Sequence, residues 1–188
     1  DLIRMRQNPV IENNYKDYLM TTNSIPKATT PSNILKPKIL DIGCGERKVP
    51  GSIGLDLNLS VGADVVHNLN QFPYPFEQDE FDEVHIRETL CVLDYPISVM
   101  EEVYRILKNK GKVIVAQPYF RSVWNFADPG MKNFGTAHSF AFYDPEDAFR
   151  KRYGYHTEVK FITLKIIFEE NNVKPKSIRR LIIWLANR

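Results

Sequence analysis

From residue 38 onward, short apolar runs alternate with polar, turn-rich stretches. Residues 38–42 form an apolar run that closes on Asp41-Ile42-Gly43-Cys44-Gly45. Similar runs follow at 52–57, ending in Asp56, at 63–67 and at 81–86. Residues 92–108 carry Val99, Val103, Ile106 and Leu107 at helical spacing, and Asn109-Lys110-Gly111 stops that helix before a fifth run at 112–117. Strands that alternate with helical segments predict a parallel sheet with helices on its faces. The stretch before Asp56 is short for a helix, so the first crossover is expected to be abbreviated.

Outside this core the pattern changes. Tyr15, Tyr18 and Leu19 recur at helical spacing, and Pro26, Pro31 and Pro37 mark a linker, so residues 1–37 read as an N-terminal helical segment and linker ahead of a domain at 38–188. Residues 119–143 hold eight aromatic side chains, a composition suited to an acceptor pocket or lid. A helix is expected to start at Asp144-Pro145-Glu146, with Asp144 as its cap. A sixth strand is expected over 158–168. Residues 174–188 read as a basic amphipathic helix, with Ile178, Leu181, Ile182 and Leu185 on one face and Arg179 and Arg180 in solvent. No strand-like run follows, so either the final antiparallel strand is missing or the sequence stops short of it. The apolar stripe and the open sheet edge then need cover, from the chain's own sheet or from a second copy in a homodimer.

The 188 residues are 43% hydrophobic and 26% charged, which suits one domain with at most a small appendage. No apolar run reaches the ~18 residues of a membrane span, and no basic-then-apolar leader is seen. Two cysteines, Cys44 and Cys91, make no disulfide framework and point to a reducing compartment, the cytoplasm. The first residue is Asp1 rather than Met, so the chain reads as a fragment or a processed product. The net charge of +2 is uneven: residues 150–188 hold ten Lys and Arg against three Glu, net +7, leaving −5 elsewhere. A basic tail suits an anionic partner or a solvated face.

The chemistry concentrates at the first glycine turn. A strand running into Gly43-Cys44-Gly45 lets a ligand approach the backbone at the carboxyl edge of a sheet. A dinucleotide fingerprint needs a third glycine where Lys48 stands, and no Gly-Lys-Ser/Thr ending marks a triphosphate loop. Asp56, one strand later, is placed to accept from ribose hydroxyls. A glycine turn without a phosphate cradle, joined to a ribose acid, fits a nucleoside ligand lacking phosphates, such as S-adenosylmethionine. No His/Cys/carboxylate cluster has metal-ligand spacing, and no aromatic-plus-basic nucleic-acid module is recognisable.

Residues 39–45, Gly54-Leu55-Asp56, Asn68-Leu69 with Phe72-Pro73-Tyr74-Pro75-Phe76, Phe81-Asp82-Glu83-Val84 and residues 101–115 resemble the class I S-adenosylmethionine-dependent methyltransferases. The likeness covers roughly residues 38–120 and is greatest to small members that modify metabolites or glycans. It implies a Rossmann-like three-layer α/β/α fold with a mostly parallel sheet. It also implies S-adenosylmethionine as cofactor, with Asp41, Gly43, Cys44 and Gly45 at the turn and Asp56 on the ribose. Leu57 would then touch the adenine, Asn68 and Leu69 would lie at its edge, and Arg87 would line the pocket. Asn68 stands where the family usually has Asp, and an amide accepts without charge assistance. Leu90-Cys91-Val92 replaces the common Leu-Glu-His. His138 resembles a histidine of some relatives and is the candidate general base on an acceptor hydroxyl. His67, His85 and His156 are assigned no role. Gln117-Pro118-Tyr119 lacks the second proline of the adenine-methylating signature and falls one strand late. The implied activity is methyl transfer to a small molecule or sugar. A binding or scaffold protein without turnover, and an RNA methyltransferase suggested only by the basic tail, are the competing readings.

Overall fold

The computed structural model describes residues 10–12 and 36–166. Among the described residues seven strands form one sheet: β1 (Val10–Glu12), β2 (Ile39–Ile42), β3 (Ile53–Asp56), β4 (Val65–Val66), β5 (Phe81–Arg87), β6 (Leu107–Ala116) and β7 (Ile162–Lys165). Their spatial order is β4-β3-β2-β5-β6-β1-β7, and every pairing among them is parallel. Within β2 to β6 the direction of winding reverses between β2 and β5. Open α/β sheets of this Rossmann-like kind bind ligands at the carboxyl edge of such a switch point.

Parallel strands covered on both faces bury nearly every side chain. Leu40, Asp41 and Ile42 of β2, Gly54 and Leu55 of β3, and Val84, His85 and Ile86 of β5 are all buried. Helix α1 (Pro96–Ile106) lays Val99, Met100, Val103 and Ile106 into the same core. Each such apolar side chain contributes roughly 1.5–3 kcal/mol on burial. Phe81, Tyr74 and Phe161 supply the large rings of the cluster.

Several boundaries depart from the pattern. The helix expected over 92–108 starts at Pro96, because proline suits a first helical turn and not an interior; Leu90–Val92 forms a separate 3-10 turn. The fifth run begins at Leu107 rather than 112, with Lys110 at φ +68 inside it and a register shift opposite Phe81 and Glu83. The run at 63–67 reduces to Val65–Val66, and the described part of that at 158–168 forms a strand only at Ile162–Lys165. The helix expected from Asp144 is α3 (Ala148–Tyr153), capped by Asp147, whose side chain accepts from the Phe149 N–H. Asp144 instead accepts from the N–H groups of Glu146 and Thr163, at 3.0 and 2.8 Å. Between β6 and α3, α2 (Trp124–Ala127) is a single turn.

The crossovers from β2 to β3 and from β3 to β4 carry only 3-10 turns, Gly45–Arg47 and Leu59–Val61, as the short spacing requires. The loop 72–76 is tied to α1. Arg105 donates to the Tyr74 and Phe76 carbonyls while pairing with Glu102, and Glu102 accepts from the Tyr74 N–H at 2.8 Å. The expected helices near Tyr15 and over 174–188, and most of the linker, lie outside the described residues.

Candidate functional site

Two loops meet at the switch point. After β2 the chain turns through Gly43 at φ +66 and Gly45 at φ +51. After β5 it runs through Glu88 and Thr89. A Cβ on Gly43 would stand 2.2 Å from the Thr89 hydroxyl, so this glycine allows the two loops to touch. A Cβ on Gly45 would meet nothing within 4 Å, so the space above the turn is open.

The carboxylate of Asp56, at the end of β3, faces this space. One oxygen accepts from the Gly45 N–H and the other from the Asn58 N–H, both at 3.0 Å. An ionised carboxylate has about four acceptor sites, so each oxygen retains capacity for a ligand donor. Leu57 next to it is 65% exposed and Leu59 is 69% exposed. Two apolar side chains therefore stand in solvent at the rim.

The other expected residues divide. Asp41 is fully buried and faces inward: one oxygen accepts from the Val49 N–H at 2.8 Å and from the Arg87 guanidinium at 2.6 Å. Arg87 also donates to the Arg47 carbonyl at 2.6 Å. The pair thus holds the Gly45–Arg47 turn against the ends of β2 and β5. Cys44 is buried, and its sulfur would lie 2.8 Å from a Cβ on Gly54. Burial, then the nearby Asp56 and Asp41 charges, push its thiol up, so it packs as a neutral group. Asn68 uses its side-chain oxygen to accept from the Asn70 N–H. Leu69 belongs to the core, and its carbonyl accepts from the Tyr74 hydroxyl. His138 is exposed, with its ring 5.3 Å from that of Phe149.

A cavity of about 310 Å³ lies at the carboxyl ends of β5 and β6. Leu90 and Gln117 come from those strand ends, Ile97 and Met100 from α1, and Phe140 and Tyr143 from the aromatic segment. His156 lines it as well, whereas His138 is not among the lining residues. Sequence reading passed over Thr89, Gln117 and His156. Position just beyond a strand end is the one local signal that Thr89 and Gln117 carry. Among the described residues no group of three or more His, Cys, Asp or Glu could hold a metal ion, and no helix is long and apolar enough to cross a membrane.

The methyltransferase-domain family model matches residues 40–115, the span from β2 to β6 that builds both loops of the switch point. Among solved structures, a S-adenosylmethionine-dependent methyltransferase from Archaeoglobus fulgidus aligns at 16% identity with a TM-score of 0.50, covering 80% of this chain and 78% of that one. The YcgJ protein of Bacillus subtilis aligns at 20% identity and TM-score 0.41, covering 53% and 56%. The cyclase SpnF aligns at 17% identity and TM-score 0.39, covering 46% and 40%. The chain thus spans about half the length of these last two proteins. No curated protein matches it. Residues 40–115, a parallel sheet with its glycine turn and strand-end acid at the switch point, thus match the methyltransferase-domain family, and the fold is that of the Archaeoglobus fulgidus structure.

Proposed function

We propose that this protein transfers a methyl group from S-adenosylmethionine to a small-molecule acceptor. The observation that carries the reading is the open glycine turn facing the Asp56 carboxylate. The residues fit the cofactor. Asp56 retains acceptor capacity for a ribose diol, and exposed Leu57 offers an apolar surface to an adenine. Gly45 leaves its side of the turn clear for the methionine part. When bound, the cofactor supplies an electrophilic methyl on a sulfonium sulfur.

The chain's own part is to bind and orient. Asp41 and Arg87 act one layer beneath, by fixing the turn whose backbone faces the ligand. Cys44 and Leu69 serve the same end by packing, and Asn68 shapes the loop that leads to the adenine side. His138 remains the proposed base for a hydroxyl acceptor, and His138→Ala is then expected to lower turnover while sparing cofactor affinity. A reducing compartment such as the cytoplasm suits two cysteines that are both free and buried. A homodimer completes the proposal.

Calorimetry with S-adenosylhomocysteine tests the cofactor site. Binding is expected, and Asp56→Ala should weaken it by ~1.5–3 kcal/mol, the worth of hydrogen bonds to a charged group. Absence of heat at millimolar ligand would remove the cofactor reading. Unchanged affinity in Asp56→Ala would remove Asp56 from it. Binding without methyl transfer to any acceptor would favour the scaffold reading.

A further inference from the structure

The cavity beside the switch point has a composition that selects its ligand. Among the described residues no Asp, Glu, Lys or Arg lines it. Its walls are leucine, isoleucine, methionine and aromatic rings. Three of its polar groups are already committed: Asn133 donates to the carbonyls of Leu90 and Leu93, Thr157 donates to Glu101, and the Ser139 hydroxyl accepts from the Thr136 N–H. Two others are not. The Gln117 amide and the hydroxyl of Tyr143, a residue only 6% exposed, have no hydrogen-bond partner among the described residues. Neither is among the polar atoms sealed from solvent, so each can exchange water for a ligand's hydrogen bond. The amide and the hydroxyl are therefore places where a ligand can be held and oriented.

Size narrows the choice. An apolar cavity of about 150 Å³ accommodates benzene, and this one, at about 310 Å³, is twice that. A sugar ring would bring several hydroxyls against apolar walls with few partners, and a charged ligand would find no Asp, Glu, Lys or Arg to pair with. We infer that this cavity binds an uncharged, two-ring-sized apolar molecule, held by one or two hydrogen bonds to Gln117 and Tyr143. The cavity's lining residue Leu90 follows Thr89 in the chain, and the Thr89 side chain packs over Gly43 of the glycine turn. Under the methyl-transfer reading this molecule is the acceptor. That role rests on the reading, whereas the binding does not.

The test uses the full chain and three probes: 2-naphthol, naphthalene-2-sulfonate and methyl β-glucoside, each followed by calorimetry and ligand-observed NMR. 2-Naphthol is expected to bind with Kd below about 1 mM. The sulfonate should bind at least ~10-fold more weakly and the glucoside should not bind. Gln117→Leu and Tyr143→Phe keep shape and remove one polar group each, so each should weaken 2-naphthol ~2–10-fold. Ile97→Trp, at a position 39% exposed and therefore tolerant of change, should obstruct the cavity and abolish binding. The inference is overturned if 2-naphthol does not bind, if the glucoside binds as well, or if folded variants bind 2-naphthol like the parent chain. Should a variant fail to fold, the ranking of the three probes on the parent chain decides. S-adenosylhomocysteine titrated in parallel separates the two claims. Its binding without 2-naphthol binding removes only the acceptor class, and the reverse removes only the cofactor reading.

Discussion

Gly43 and Gly45 share a left-handed backbone but not the reason for it. At Gly43 any side chain meets Thr89, so Gly43→Ala adds overpacking of about 1–3 kcal/mol to a backbone strain of about 1–2 kcal/mol. At Gly45 only the strain applies, and the new methyl projects into open space above the turn. We therefore expect urea unfolding to show a markedly larger loss for Gly43→Ala than for Gly45→Ala. Gly45→Ala should keep its fold and lose affinity for S-adenosylhomocysteine out of proportion to its stability. Equal losses of stability would mean that contact with Thr89 does not constrain the turn. The Asp41–Arg87 pair belongs at this scale too. Both were legible as residues near the turn, but their bond to one another spans 46 positions and closes only when β2 and β5 pair.

Among the elements, α3 shows how a cap is misread. Asp144-Pro145-Glu146 carries a full helix-start signature, yet the helix waits for Asp147. Asp144 is diverted because one of its oxygens anchors the Thr163 N–H, next to Ile162 in β7. Loss of a cap costs about 1 kcal/mol, so Asp147→Ala should lower stability by that amount. Asp144→Ala removes a local turn bond and a link 19 residues away together, and leaves a part-buried N–H without its acceptor. Chemical denaturation should therefore rank Asp144→Ala as the costlier change. The opposite ranking would mean that the anchor to Thr163 contributes little. Helix α1 was legible because its apolar spacing is local. Its start was not, since a pattern of apolar residues runs across Pro96 without marking where the backbone can first become helical.

For the whole molecule, acid is the expected point of failure. The Lys108 ammonium and the Lys38 N–H hold the Asp82 carboxyl below its ordinary range. The Gly54 N–H and Lys48 do the same for Asp64. At Glu102 burial pushes upward, but the Arg105 guanidinium and the Tyr74 N–H outweigh it. A group whose folded pKa lies below its unfolded value, about 4, contributes fully above that value and loses the contribution as pH falls through the folded one. The urea midpoint should thus hold near neutrality and fall steadily below about pH 4, with a shallower fall in Glu102→Gln. A flat profile from pH 7 to pH 3 would show that these carboxylates do not stabilise the fold. The amino-acid order by itself determined the parallel sheet, the glycine turn and the acid at Asp56, because strand periodicity, positive-φ glycines and strand-end position are properties of a few consecutive residues. Only the tertiary structure decided that one oxygen of Asp41 pairs with Arg87, that His156 rather than His138 lines the cavity, and that Leu90, Ile97, Gln117 and Tyr143 enclose one space. These residues lie far apart along the chain. Their meeting is set by how β5, α1, β6 and the aromatic segment pack, which no local spacing encodes.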